Sequence, residues 1–158
     1  MRTLAAVHAR VLASLGRALS LELSAVQQFM THSALVERWG DAESAARFRH
    51  ETVEELQHAE RIVQHMLTLG VAPAASQLRP VGTAVDLVGL LHQNAVLEAS
   101  LVDHYAEAVR FCLLIGDQAH AAFFQQLHEE ERQHGADLAA WLHQLTASHQ
   151  GRELRATF

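Results

Sequence analysis

Along residues 48–69 the apolar positions Phe48, Ala59, Ile62, Met66 and Leu69 recur at the three-and-four spacing of a buried helical stripe. The same spacing carries Leu12, Leu15, Leu19, Val26 and Phe29 through the start of the chain. It returns in Leu91, Ala95, Val102 and Tyr105, and again in Phe124, Leu127, Leu138 and Leu142. The pattern predicts four long helices, over about 4–38, 42–69, 84–114 and 118–147. Their ends are punctuated: Trp39-Gly40-Asp41 and Ile115-Gly116-Asp117 each offer a glycine to close one helix and an aspartate to cap the next, and Gly70 closes the second. The stretch GVAPAASQLRPVGT, residues 70–83, holds both prolines and forms the one long connection, while HQGRELRATF is expected as a short tail.

The two halves of the chain repeat each other. The shift that places Gly40-Asp41 on Gly116-Asp117 also places Phe48 on Phe124, Leu21-Glu22 on Leu97-Glu98, and EELQH (54–58) on EERQH (130–134). Two helical hairpins related by a pseudo-twofold and joined by one long crossover make an all-α four-helix bundle. A solenoid would need at least three repeats, and only two exist. At 158 residues the bundle is a single domain spanning the chain.

Each stripe contains an acid where core should be. Glu55 sits between Phe48 and Ile62, Glu22 between Leu19 and Val26, Glu98 between Leu91 and Tyr105, and Glu131 between Leu127 and Leu138. An isolated buried carboxylate is protonated or strongly destabilising, so something must compensate all four. His58 and His134 each follow their glutamate by one helical turn, on an adjacent face. In a chain with twelve histidines one such pair is expected by chance and reads as a solvated helix edge. Here both pairs face the core and both recur under the internal shift. Each also follows a lone buried glutamate at the same interval, Glu55 after Glu22 and Glu131 after Glu98. Four carboxylates balance two divalent cations, and the oxygen-rich, nitrogen-poor donor set suits iron or manganese rather than a closed structural zinc site. Glu55 and Glu131 are placed to bridge the two metals, with Glu22 and Glu98 each capping one.

Composition narrows the alternatives. A formal charge of −6 with no basic run excludes nucleic acid as the natural partner, and no apolar run approaches the roughly 20 residues of a membrane span. The single cysteine, Cys112, excludes an intrachain disulfide and suits a reducing cytoplasm. The stretch from Met1 to Ala25 is amphipathic, Arg-bearing and free of acids until Glu22, as in an organelle transit peptide. Cutting it away, however, would truncate the first core stripe.

With these residues in view, the chain resembles bacterioferritin over nearly its whole length. LELSAVQQFMTHSALVERWG is similar to that family's first helix and HETVEELQHAERI to its second. The intervals from Glu22 through Glu55 and Glu98 to Glu131 match the family's without a gap. The resemblance implies a ferroxidase centre holding two iron ions per subunit on Glu22, Glu55, His58, Glu98, Glu131 and His134, with manganese an alternative. It implies a further iron at His50 and Glu54 on the inner wall of a protein shell, and homo-oligomeric assembly from dimers into 24 subunits. It also locates three departures. The haem-ligating methionine of the family falls on Leu56, which offers iron no donor, so the isolated chain is expected to carry no haem, the alternatives being haem wedged in the pocket without ligation or supplied by a co-assembled subunit that keeps the methionine. A tyrosine near the centre is Phe29, and the C-terminal tail is shorter than the family's last helix.

The leading function is therefore iron storage with ferroxidase activity. A small-oligomer di-iron oxidase or peroxidase is the alternative, and a metal-stapled scaffold a third. Among the remaining residues, His50 and Glu54 are expected one turn apart on the face away from the dimetal centre, beside a solvated Glu51 and Arg47. His32 is read as a packed or capping histidine, Tyr105 as core with its hydroxyl near the site, and Cys112 as a buried small hydrophobe. His65, His92, His104, His120, His128, His143 and His149 are read as surface residues.

Overall fold

The computed structural model describes residues 6–156, with side chains described through Ser148. Four helices occupy it: α1 Ala9–Arg38, α2 Ala42–Thr68, α3 Leu87–Leu114 and α4 Gln118–Ala156. Among the described residues no strand forms. α1 packs on α2, α3 on α4, and the two hairpins meet chiefly through α1 and α3. Gly40, Gly70 and Gly116 all take positive φ (87°, 74° and 74°), the left-handed conformation that closes a helix at little cost only for glycine. Asp41 Oδ1 accepts the Ser44 N–H at 2.9 Å and Asp117 Oδ1 the His120 N–H at 3.1 Å, so the paired caps are real and equivalent.

Two helix limits differ from the sequence pattern. α3 starts at Leu87, because Asp86 caps it by accepting the Gly89 N–H at 2.8 Å. α4 runs through the expected tail to Ala156, since only Gly151 in that stretch opposes a helix, by about 1 kcal/mol. Residues 4 and 5 of the first expected helix, the last two of the tail, and the side chain of His149 lie outside the described residues.

The crossover is laid along α1 and fixed there by a polar stripe that recurs once per helical turn. Ser20 Oγ accepts the Gln77 N–H at 3.1 Å, Ser24 Oγ the Arg79 N–H at 2.9 Å, and Gln28 Oε1 the Gly82 N–H at 3.0 Å. His32 Nε2 completes the row against the Gly82 carbonyl at 2.5 Å, so His32 is a packed histidine that ties a loop down, and burial lowers its pKa. Gln28 also donates to Asn94 Oδ1 at 2.9 Å, which turns Asn94 into the core of α3 and leaves the expected stripe residue Ala95 exposed. α3 is apolar on more than one face, so periodicity alone does not fix its buried side.

The core falls into two apolar clusters. One gathers Leu15, Phe29, Ile62, Leu101, Tyr105, Phe124 and their neighbours, and the other gathers Val36, Phe48, Leu90, Leu91, Leu138 and Trp141. On α2 and α4 the polar residues 55, 58, 131 and 134 lie between the two clusters. Water is thus excluded from both ends of the polar layer, and electrostatic interactions inside it are strong.

Candidate metal centre

The bundle brings together all six side chains singled out for chemistry. Glu22 comes from α1, Glu55 and His58 from α2, Glu98 from α3, and Glu131 and His134 from α4. Each of the four carboxylates is at most 1 % exposed. Their ligand atoms form two overlapping groups, Glu22–Glu55–His58–Glu131 and Glu55–Glu98–Glu131–His134, each with its atoms within 4.8 Å of one another. Glu55 and Glu131 belong to both groups and occupy the shared middle. The pseudo-twofold places Glu22 and His58 on one side, Glu98 and His134 on the other.

The two imidazoles stack at 5.4 Å and turn Nδ1 inward. His58 Nδ1 lies 2.7 Å from Glu131 Oε1 and 3.3 Å from Glu55 Oε2, and His134 Nδ1 lies 2.8 Å from Glu55 Oε1 and 3.5 Å from Glu131 Oε2. Burial pushes the Glu22 and Glu98 carboxyls well above the usual carboxylate range, and the neighbouring charges of Glu131 and Glu55 push the same way. Burial also opposes charge on Glu131, but the imidazoles of His134 and His58 beside it outweigh burial and hold that carboxyl low. Burial likewise disfavours the imidazolium forms, yet Glu131, Glu22 and Glu55 raise His58 above its ordinary value, and Glu131 with Glu55 raises His134 to about 11. Without metal, protons hold this cluster of acids together.

Protons do not satisfy it. Glu22 Oε2, Glu55 Oε2, both oxygens of Glu98, both of Glu131, and His58 Nδ1 are buried without a hydrogen-bond partner. Buried polar atoms are normally partnered, and so many unpartnered oxygens converging on one point fit a site that binds cations. The donor set fits two divalent ions of the iron or manganese kind.

Behind the cluster stands an outer layer that the helical pattern did not reveal. His58 Nε2 meets Glu130 Oε2 at 2.8 Å, and the Arg61 guanidinium donates to the same oxygen at 2.6 Å. The twin arrangement pairs His134 Nε2 with Glu54 Oε2 at 3.0 Å, and Glu54 Oε1 with His50 Nε2 at 3.2 Å. Each acid thus reaches across from one helix to the histidine of the other, which corrects the expectation that Glu54 faces away from the centre. Glu51 is half-buried and not a fully solvated residue: burial raises its pKa to about 7, and with Glu54 and His134 it forms a third group of ligand atoms within 4.8 Å. The signal for Glu130 was present in the sequence, since the doublet Glu54-Glu55 repeats as Glu130-Glu131. Tyr105, on α3, donates its hydroxyl proton to Glu22 Oε1, as expected of a residue one heptad from Glu98.

Comparisons with known proteins agree with this geometry. The ferritin-like domain of the ferritin family matches residues 12–148. A bacterioferritin from Rhodobacter capsulatus is 32% identical over 126 residues, covering 80% of this chain and 78% of that one. Another, from Mycolicibacterium paratuberculosis, is 29% identical over 124 residues, covering 78% of each. A solved structure of Rhodobacter capsulatus bacterioferritin, described as having a metal-free dinuclear site and a haem iron in a crystallographic special position, superposes with a TM-score of 0.86 at 29% identity, covering 90% of this chain and 89% of that one.

Proposed function

We infer, because the chain belongs to the ferritin-like family and within it to the bacterioferritins, that its four-carboxylate cluster takes up two Fe(II) ions per subunit and oxidises them for storage as an Fe(III) mineral. The observation that carries this is the pair of overlapping ligand groups sharing Glu55 and Glu131, with their buried, unpartnered oxygens. Bound iron supplies the electrons that reduce an oxidant such as O₂ or peroxide.

The chain sets the geometry in which that happens. Glu55 and Glu131, shared by both ligand groups, would hold both ions, Glu22 and Glu98 one each, and His58 and His134 would each offer Nδ1 to one ion. Glu130 and Glu54 hold the opposite ring nitrogens as N–H donors, fixing the tautomer whose Nδ1 lone pair points inward. The Tyr105 hydroxyl holds one Glu22 oxygen, leaving the other free for metal.

The same reading covers assembly. Two subunits pair over the apolar groove lined by Leu19, Leu23, Leu56, Ala59, Val63 and Pro73, and dimers build a shell around the mineral. Leu56, 43% exposed, packs there but offers haem iron no sulfur, so haem enters only through a co-assembled subunit. The location is cytoplasmic, in keeping with a lone buried Cys112; among the described residues no helix is long and apolar enough to cross a membrane.

The test is to load metal-free protein with Fe(II) under argon, admit air, and follow both the oxidation burst and the iron retained per particle. Glu98→Ala and His134→Ala should abolish the burst while leaving a helical protein. A parent burst that survives both substitutions would refute the dimetal assignment. Oxidation without iron retention, from a particle the size of a dimer, would favour a non-storing oxidase.

A further inference from the structure

The seam between α2 and α4 carries a second pair of imidazoles. His65 lies two turns beyond His58, and His120 four turns before His134, so both stay on the faces that the two helices turn toward each other. His120 is 7% exposed, which overturns its reading as a surface residue, and His65 is half-buried. Their ring centroids are 5.0 Å apart, edge-on at 75°. Asp117 Oδ2 holds His120 Nδ1 at 2.7 Å. Nε2 of His120 and Nε2 of His65 are both buried and both without a hydrogen-bond partner.

Helix capping does not account for this arrangement. The internal repeat maps Asp117 and His120 onto Asp41 and Ser44, where the same cap forms with a serine. It maps His65 onto Trp141, so the other half has no imidazole at either position. Two neighbouring orphaned ring nitrogens each cost about 1–3 kcal/mol if left unsatisfied.

We propose that His65 and His120 form a mononuclear site, separate from the four-carboxylate cluster, for an imidazole-preferring divalent ion of the zinc class. Two imidazoles bound through nitrogen to one tetrahedral ion, at about 2.0–2.1 Å each, put their ring centroids about 5 Å apart, which is the separation found. Asp117 acts as the orienting carboxylate: it accepts the Nδ1 proton of His120 and so leaves the Nε2 lone pair for the ion. Phe123, stacked on His65 at 4.3 Å, holds the second ring. Water fills the remaining coordination positions, because no further carboxylate or histidine of the described residues joins the pair. The ion ties the C-terminal end of α2 to the N-terminal end of α4, and so one hairpin to the other.

Equilibrium dialysis of the metal-freed full chain against Zn(II) at neutral pH tests this. His65→Gln and His120→Gln should each bind one zinc per subunit fewer than the parent, and the double variant should lose no more than either alone. The quantity is a difference between parent and variant, so it holds whatever the four-carboxylate cluster binds. The Fe(II) oxidation burst of His120→Gln should equal that of the parent. Equal zinc content in all four proteins would overturn the proposal. Should a variant not fold, the parent decides: Zn(II) should abolish carbethoxylation of His65, mapped by mass spectrometry, and labelling unchanged by zinc would overturn the site.

Discussion

Loading the centre with Fe(II) should expel protons in a number set by its apo structure. In the metal-free state burial keeps Glu22 and Glu98 as neutral acids at mildly acidic pH, while the surrounding carboxylates keep His58 and His134 as imidazoliums, His134 up to about 11. Those four groups hold four protons that the bound state has no room for, since a metal ligand must present a lone pair. Two divalent ions carry four positive charges, so the exchange leaves the charge of the buried layer unchanged. While Glu22 and Glu98 remain protonated the expected stoichiometry is therefore about four protons per two ions, and each displaced proton changes the apparent affinity about tenfold per pH unit, or about 1.4 kcal/mol. Calorimetric titration of anaerobic Fe(II) in buffers of different ionisation enthalpy measures the number directly. It should fall as pH rises, first as Glu22 and Glu98 shed their protons unaided, with the protons of His134 and His58 the last to remain. Release of about one proton or fewer per pair of ions at pH 6 would refute the protonated-cluster account.

Metal-free protein should lose stability as pH rises: Glu22 and Glu98, raised in the fold, contribute fully only below about 4.5, and His134 only below about 6.5, with its share gone by about 11. Glu131, held low, has the opposite sign and is felt only on acidification; thermal melts from pH 5 to 9 should show the fall in apoprotein and its suppression by Fe(II) or Mn(II), and parallel curves would count against it. Glu130→Ala should weaken metal binding by about 10–100-fold by removing the acceptor that fixes His58, with the helical circular dichroism unchanged. Phe48→Ala, emptying a fully buried site beside Trp141, should cost about 3–5 kcal/mol in chemical denaturation. Leu56→Met, expressed with ample haem, should create a Soret band that the parent lacks.

Much of this could be read from the sequence because the pattern was duplicated. A single glutamate on an apolar stripe is ambiguous, but Glu22, Glu55, Glu98 and Glu131 recur at mirrored spacing, and the three left-handed glycines divide the helices where sequence placed the breaks. What sequence did not yield depends on neighbouring helices. A helical wheel gives the angle of Glu54 relative to Glu55, about 100°, but not that His134 of α4 stands within reach at that angle. His120 follows an aspartate cap, where a first-turn histidine ordinarily meets solvent, and only the approach of His65 and Phe123 buries it. The row Ser20, Ser24, Gln28 and His32 reads as a polar helix face until the crossover is seen lying on it.

The departures from the internal repeat are as informative as the repeat. Around the metals the two halves agree, glutamate for glutamate and histidine for histidine, because two like ions need like donors. One layer out they part. Glu130 is paired with Arg61 at 2.6 Å, a permanent cation in a half-buried ion pair, whereas Glu54 faces His50, an exposed imidazole at 3.2 Å. The acid behind His58 is therefore clamped by a guanidinium, and the one behind His134 lies beside Glu51, with which it shares the third ligand group. The His58 side is built to hold its geometry, and the His134 side opens through Glu51, Glu54 and His50 to the surface. The duplicated hairpin thus gives the two ends of one symmetric ligand set different surroundings, a guanidinium behind one histidine and an exposed imidazole behind the other.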